Sequence, residues 1–467
     1  MKKTIDNILI KEIAKVAAKN KTNAYIVGGY VRDFILNIEC NDFDIMVIGD
    51  AVKFAEQCAK HFKTKLSAIY KRFGTALLKY DNYKIEFSSA RKESYDKKSR
   101  KPKIEFADLK DDIERRDFTI NAIAVPLNQL DKKIDLFNGL DDIKNKIIRT
   151  PIEPDKTFYD DPLRILRAIR FATRLNFSIE EKTFQGIIEN KNRLTEDKVV
   201  SKERISNEFL MMLEAKKPSN AINLMYLSGV LEIIFPEIAK LAGVEQRDDY
   251  HHKDAFYHTL EVLDKISEKT ENVWLRFTAL VHDIAKPKTK KFIQGIGWTF
   301  HGHDEIGARM MKKIFEQMKF PYDVLPYIEK LIRLHLRPIP LAQPDVTDSA
   351  IRRLAADAGE QLEDLLTLCK ADITSKNPDK QNRFMKNYEK VERRIIEVQQ
   401  KDNLRNFQSP VRGEEIMEIC NLMPSKEVGI IKKKIEEAIL EGIIPNEYTA
   451  AKEYLYSIKD EVLRKEK

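Results

Sequence analysis

The sequence predicts an α+β protein: a mixed sheet with helices over residues 1–150, then an elongated all-α body. Three observations predict it. Between Tyr25 and Ile48, two apolar runs flank a Gly28-Gly29 turn and a helical pattern through Leu36, which is the order strand, turn, helix, strand. Thr75–Tyr80 and Lys84–Ser88 read as two further strands joined at Asp81-Asn82. From about Thr150 strand signals fade and helical periodicity runs to the end of the chain, with Pro151–Pro154 as the hinge.

At 467 residues the chain exceeds a single core, and four segments are expected: 1–150, 151–245, 246–400 and 401–467. A third of the residues are charged and the net charge is +8, which suits an anionic partner without demanding one. Cys40, Cys58, Cys369 and Cys420 show neither metal-type nor disulfide-framework spacing, so a reducing compartment is expected. No apolar run approaches 18 residues and the N-terminus lacks a signal-like apolar core, so a soluble, cytoplasmic protein without membrane contact is expected.

An amphipathic helix over residues 5–19 opens the chain, with Ile5, Ile8, Leu9, Ile13, Val16 and Ala17 on its apolar stripe. In the stretch that follows, Gly28 and Gly29 allow a ligand close to the backbone. The helix start behind them offers free N–H groups to a phosphate, with Arg32 as a forked clamp. Asp42 and Asp44 are two residues apart on the next strand, so both carboxylates share one face and can hold a pair of divalent cations. Glu86, on a later strand, is either a third acidic group at that site or a surface residue.

Residues 51–62 read as a helix. Arg91 to Lys103 carries seven basic residues against Glu93 and Asp96 and reads as a mobile, solvated loop. In Glu114–Ala124 a strand is expected, with Arg115 and Arg116 on opposite sides and at least one facing the cleft; Asp117 and Asn121 are placed to bond sugar hydroxyls. Asp135…Gly139…Asp142 reads only as a turn. In the first body helix Asp161 is expected at the N-cap and Pro162 in the first turn. Asp161, Arg164, Arg167 and Arg170 then form one polar ridge, either a solvated salt-bridge face or a wall that reads a base edge.

These motifs in order (Gly28-Gly29-x-Val31-Arg32-Asp33 with Asp42-x-Asp44, Arg115–Ala122, Asp135…Asp142 and Asp161-x-x-Arg164-x-x-Arg167) resemble those of the class II tRNA nucleotidyltransferases and bacterial poly(A) polymerases, members of the DNA-polymerase-β-like superfamily. Arg204 and Glu208 resemble a weaker fifth motif. The resemblance covers roughly residues 20–215 and implies addition of C, C and A to a tRNA 3′ end from CTP and ATP, with release of pyrophosphate. It implies Mg2+ on Asp42 and Asp44, triphosphate at Gly28, Gly29 and Arg32, and ribose at Asp117 with Arg115, Arg116 and Asn121 beside it. Base selection falls to Asp161, Arg164 and Arg167, with Arg170 behind them. The segment 91–103 matches the family's flexible loop. Asp160 stands where the family often has Glu. Poly(A) polymerases share these motifs, so addition of A alone stays open.

Seven of the eight histidines lie between His251 and His335. His258, the adjacent His282-Asp283, His303, His335 and Asp372 are the usual ligand types for a first-row metal ion. His258…His282-Asp283…Asp372 resembles the HD phosphohydrolase superfamily, an all-helical fold, and His303 and His335 match the extra ligands of its two-metal members. A divalent transition metal is implied there. His251, His252 and His301 are neighbouring or surface groups. An HD metallo-phosphohydrolase with an RNA-binding head is the alternative from another class. The C-terminal segment, from Ser409-Pro410 on, reads as a final helical module.

Overall fold

The computed structural model describes residues 5, 7–96, 99–196, 199–244, 254–295, 297–342, 346–374, 377–405, 409–440, 443–445 and 447–464. His251 and His252 lie outside them. The expected architecture holds: a mixed sheet with helices comes first, and helices dominate thereafter.

The head is built on a seven-stranded sheet. Its strands are β1 (Ala24–Val27), β2 (Asp42–Val47), β3 (Ala68–Tyr70), β4 (Thr75–Tyr80), β5 (Tyr83–Ser89), and, after a hairpin of β6 (Arg91–Asp96) and β7 (Ser99–Phe106), β8 (Ile123–Pro126) and β9 (Ile134–Asp135). Their order is β3-β4-β5-β2-β1-β8-β9. β2 pairs parallel with β5, whereas β1 is antiparallel to both β2 and β8.

Alternation along the central strands divides the sheet's two faces. Ile26 of β1, Phe43, Ile45 and Val47 of β2, and Ile85 and Phe87 of β5 enter the main core with Ile10, Ile13, Phe54 and Ala55 of the covering helices. Val27 and Met46 enter a smaller cluster with Ala90, Ile113, Ala122 and Ala124. A period of two therefore sends Asp42, Asp44 and Glu86 to the face away from the main core.

Two expectations need correction here. The basic stretch from Arg91 is not a loop but a β6–β7 hairpin, with Lys97 and Lys98 outside the described residues. Ladder hydrogen bonds use only the main chain, so a polar composition does not forbid pairing. Arg115 and Arg116 are not on a strand either. They follow the helix Leu109–Glu114, and a 3-10 turn, Thr119–Asn121, separates them from β8.

The Asp135…Gly139…Asp142 turn buttresses that 3-10 turn. The Asp135 carboxylate accepts from Gly139 and Leu140 N–H, and Thr119 Oγ1 donates to Asp142 at 2.7 Å. A Cβ on Gly139 would lie 2.2 Å from the Thr119 carbonyl oxygen, so only glycine fits.

The hinge proline Pro154 begins the helix Pro154–Asp160, and a second helix, Leu163–Leu175, follows at once. Asp161 lies between them, one residue before the N-cap Pro162. Its Oδ1 still accepts from Leu163 N–H at 3.2 Å, a cap-like bond. β10 (Ile147–Ile148) and β11 (Ser178–Ile179) pair in parallel, and β12 (Lys291–Ile293) and β13 (Gly297–Thr299) form an antiparallel hairpin.

The chain divides into two compact units, residues 1–338 with 358–385, and residues 339–357 with 386–467. Both the head and the six metal-ligand candidates belong to the first. In the second, the helices Gly413–Cys420, Lys426–Leu440 and Tyr448–Arg464 pack around Val411, Ile416, Ile431, Ile435, Ala451 and Leu455.

Candidate active site and metal centre

Three carboxylates lie on the sheet face turned away from the main core. Asp44 is the register partner of Glu86 across β2 and β5, and Asp42 lies two residues before Asp44. Burial pushes the Asp44 carboxyl above its ordinary range. Arg116 opposes that shift, while Glu86 and Asp42 add to it. Three acids that repel one another, one of them half-buried, form a donor set with the charge and oxygen chemistry that divalent cations require, so the residues fit Mg2+.

Gly28 closes this site from one side. It sits at φ +74°, and a Cβ there would lie 2.8 Å from Asp44 Oδ2 and 3.1 Å from Arg116 Nη1. Both the backbone angle and the space therefore call for glycine. Directly behind it starts the helix Gly29–Leu36.

Asp112, which the sequence reading did not single out, anchors both arginines of the expected motif. Its Oδ1 accepts from Arg115 at 2.6 Å and its Oδ2 from Arg116 at 3.0 Å. Both guanidinium groups thus turn the same way, rather than to opposite sides. Arginine spacing alone could not reveal this, because it depends on a helix ending just before them.

The remaining polar residues form one buried network. Arg32 donates to Asp33 Oδ1 and, at 2.7 Å, to Asn121 Oδ1, and Asn121 donates to Asp117 Oδ1 at 3.0 Å. Arg167 grips Asp117 Oδ2 through Nη2 at 2.6 Å and Nε at 2.9 Å. Arg170 donates to Glu208 at 2.6 Å, and Arg167 lies 3.9 Å from the other oxygen of Glu208. The ring of Phe171 lies under the guanidinium groups of Arg32, Arg167 and Arg170, 4.8, 5.4 and 4.3 Å from its centroid.

The charges in this network shift as that geometry dictates. Burial works to raise Asp117, but the Arg167 guanidinium and the Asn121 amide outweigh it and hold the carboxyl well below the usual range. Arg167 is raised, chiefly by Asp117. Burial pulls Arg170 down, against Glu208.

The ridge is therefore not a solvated face. Arg164 is buried and donates to the Arg115 carbonyl at 2.6 Å, so it ties the second body helix to the head. Arg164, expected to read the base, and Arg170 behind it are both turned inward. Among the four, Asp161 and Arg167 are the half-buried pair.

The second centre is assembled at helix ends. His282 follows the helix Val273–Val281, His335 follows Leu325–Leu334, Asp372 follows Leu362–Ala371, and His303 opens His303–Met318. His258 lies within Ala255–Ser267. His282 Nδ1 donates to the Ala279 carbonyl at 2.8 Å, His303 Nδ1 to Phe300 at 2.7 Å and His335 Nδ1 to Ile332 at 2.6 Å. A carbonyl can only accept, so each Nδ1 carries a proton, which leaves Nε2 as the ring nitrogen that faces the other ligand candidates.

Those three Nε2 atoms are buried and lack a directed hydrogen bond. His258, His282 and Asp372 form one cluster, and Asp283, His303 and His335 a second; within each, the ligand atoms lie within 4.8 Å of one another. Burial lowers the basicity of His282, yet Asp283 and Asp372 raise it to about 10, whereas burial and His282 push His335 down to about 4. Buried Asp283 and half-buried Asp372 thus favour positive charge on His282, while His335 stays neutral. This donor set fits one or two transition-metal ions. His282→Ala is expected to weaken metal retention by more than about 100-fold, since loss of supporting contacts alone costs 10 to 100. Metal analysis of the purified protein checks it, and unchanged content would refute the ligand set.

A polymerase-type head joined to a histidine-aspartate metal domain is the class of protein that this fold and these sites define. Family models agree: the poly A polymerase head domain matches residues 24–149, the probable RNA and SrmB-binding site of polymerase A residues 176–241, and the HD domain residues 255–377.

The multifunctional CCA protein of Neisseria meningitidis serogroup A is 33% identical over 321 residues, 67% of this chain and 72% of that protein. The A-adding tRNA nucleotidyltransferase of Aquifex aeolicus is 36% identical over 273 residues, 58% of this chain. The chain spans 32% of that relative's length. A solved tRNA nucleotidyltransferase, complexed with a primer tRNA and an incoming ATP analogue, superposes with a TM-score of 0.59 at 27% identity, covering 82% of this chain and 98% of that one. The chain belongs to the class II CCA-adding and poly(A) polymerase family with an HD domain. Among the described residues, no helix is long and apolar enough to cross a membrane.

Proposed function

We propose that this chain is a Mg2+-dependent tRNA nucleotidyltransferase that completes tRNA 3′ ends with CCA from CTP and ATP. The observation that supports the reading is the placement of Asp42, Asp44 and Glu86 by strand register, with Asp44 and Arg116 both against a space that only a glycine at position 28 leaves open. Divalent cations held by these carboxylates supply a more acidic primer hydroxyl and charge neutralisation for the triphosphate.

The chain's own residues do the rest. The start of the helix Gly29–Leu36 offers N–H groups to phosphate oxygens. Arg116 lies over the same space, and Asp117, fixed by Arg167 and Asn121, presents its edge toward the ribose. Asp161, at the junction of two body helices and electrostatically linked to Arg167, reads the base. Arg32, Arg164 and Arg170 act as positioning residues that hold this wall against the head.

Asp161→Ala is therefore expected to change the choice among nucleotides by about tenfold or more, the value of one good base-edge contact, while slowing turnover less. Single-nucleotide competition assays measure it, and unaltered selectivity would reject the role.

The A. aeolicus relative favours a second reading, addition of A alone. Purified protein given tRNA ending before CCA, or after CC, with each nucleotide singly and together, separates the readings once product ends are sequenced. Full CCA supports the proposal. A added only to the CC-ended tRNA supports the second reading, and long A tails mark a poly(A) polymerase. We read the histidine-aspartate centre as an additional metal-dependent phosphohydrolase, supported by two clusters of His and Asp ligand atoms, each within 4.8 Å of one another.

A further inference from the structure

The β12–β13 hairpin lies in sequence between two ligand candidates of the second centre, Asp283 and His303. From Ile284 to His303 the chain has no acidic residue and four lysines: Lys286, Lys288, Lys290 and Lys291. A charge block this one-sided, threaded between metal ligands, suits a polyanion.

The hairpin also presents aromatic surface. Phe292 and Trp298 are register partners, with ring centroids 5.2 Å apart at 73°. Phe292 is 63% exposed, and Lys290 Nζ lies 4.3 Å from the Trp298 ring centroid. Beside it Ile293 is exposed as well. Exposed aromatic rings interleaved with lysines are the surface on which unpaired bases stack while their phosphates are neutralised.

Short connections tie this surface to the metal ligands. Lys286 Nζ is 2.6 Å from Asp283 Oδ2 and lies over the Phe300 ring, and the Phe300 carbonyl holds His303 Nδ1. The Phe292–Trp298 pair stands one step, roughly 3.4 Å along the strand, beyond the Lys291–Thr299 pair at the hairpin's base. A strand lying on the hairpin would thus have its end near the ligands.

We infer that the β12–β13 hairpin binds single-stranded RNA, stacking bases on Phe292 and Trp298 and pairing phosphates with Lys288, Lys290 and Lys291. The substrate class of the second centre is then a phosphorylated RNA end rather than a free nucleotide. This last step rests on the phosphohydrolase reading proposed above.

The sequence has two tryptophans, so full-length Trp274→Phe leaves Trp298 as the sole reporter, and RNA held at the polymerase head is silent in its emission. Titration with a short single-stranded RNA bearing a 3′-phosphate is expected to quench Trp298, whereas a blunt RNA duplex does not. Phe292→Ala in that background weakens the quenching Kd about tenfold or more. Lys290→Ala with Lys291→Ala lowers the slope of log K against log salt by roughly 0.7 per lost phosphate contact. Emission indifferent to the RNA, or equally sensitive to duplex, overturns the inference.

A second arm separates the two readings. With metal-loaded protein, Trp298→Ala should raise KM for the 3′-phosphorylated oligonucleotide about tenfold and leave hydrolysis of a mononucleotide unchanged; equal losses on both substrates overturn the assigned substrate class. If neither is hydrolysed by the parent protein, the phosphohydrolase reading falls, while the quenching result still decides whether the hairpin binds RNA.

Discussion

Asp44→Asn is expected to cut nucleotide incorporation by at least about 1000-fold while leaving the head as stable as before, or more so. The loss follows from the site's composition. Metal-borne charge neutralisation at a phosphoryl centre is worth several kcal/mol, and about 4 kcal/mol corresponds to three orders of magnitude in rate. Stability moves the other way, because Asp44 is half-buried beside Glu86 and Asp42 and its carboxyl is raised above the ordinary range. A group raised in this way, when ionised at neutral pH, costs the folded state free energy, and the isosteric amide removes that cost. Asp42→Ala should abolish incorporation equally, since Asp42 shares the face. Primer extension on tRNA and denaturation in the presence of a chelator measure the two halves. Retained incorporation would exclude this site, and a large loss of stability would show the carboxylate to be structural.

That pairing of Asp42 and Asp44 was legible in the sequence because strand periodicity is local: residues two apart share a face in any strand. Glu86 was not. Its place beside Asp44 depends on β5 entering the sheet parallel to β2, a topological fact carried by no short stretch of chain. The histidine centre was legible as a set of ligands, and its orientation follows from a local rule too, since three of its rings cap a carbonyl three residues back. The arginine ridge shows where such rules stop. Spacing says that Arg164, Arg167 and Arg170 share a face, but not that this face meets Arg115, Asp117 and Glu208 instead of water. Phe171, which nothing in the sequence singled out, has three guanidinium groups over its ring. In the β6–β7 segment, charge masked main-chain pairing altogether.

Glu208→Ala is expected to destabilise the first unit by about 3–5 kcal/mol, the usual cost of leaving one member of a buried ion pair without its partner. Arg170 and Glu208 are both more than nine-tenths buried, and burial already pulls Arg170 below its ordinary range. The double variant Arg170→Met with Glu208→Leu should recover most of the loss, because well-packed apolar groups need no desolvation. A cost under about 1 kcal/mol for Glu208→Ala in chemical denaturation would refute the pair's importance. Asp117 adds a pH signature. Its carboxyl is depressed in the folded state, so its contribution is fully present above the unfolded carboxylate pKa of about 3.9 and is lost as pH falls through the lower folded value. The stability gap between the parent protein and Asp117→Asn should therefore be full between about pH 5 and 7 and close only in strong acid. Because Asp117 takes two guanidinium bonds from Arg167 and one amide bond from Asn121, the same substitution frees the residue that touches Glu208. Asp117→Asn combined with Glu208→Ala should then cost less than the sum of the two, as expected for groups in one network.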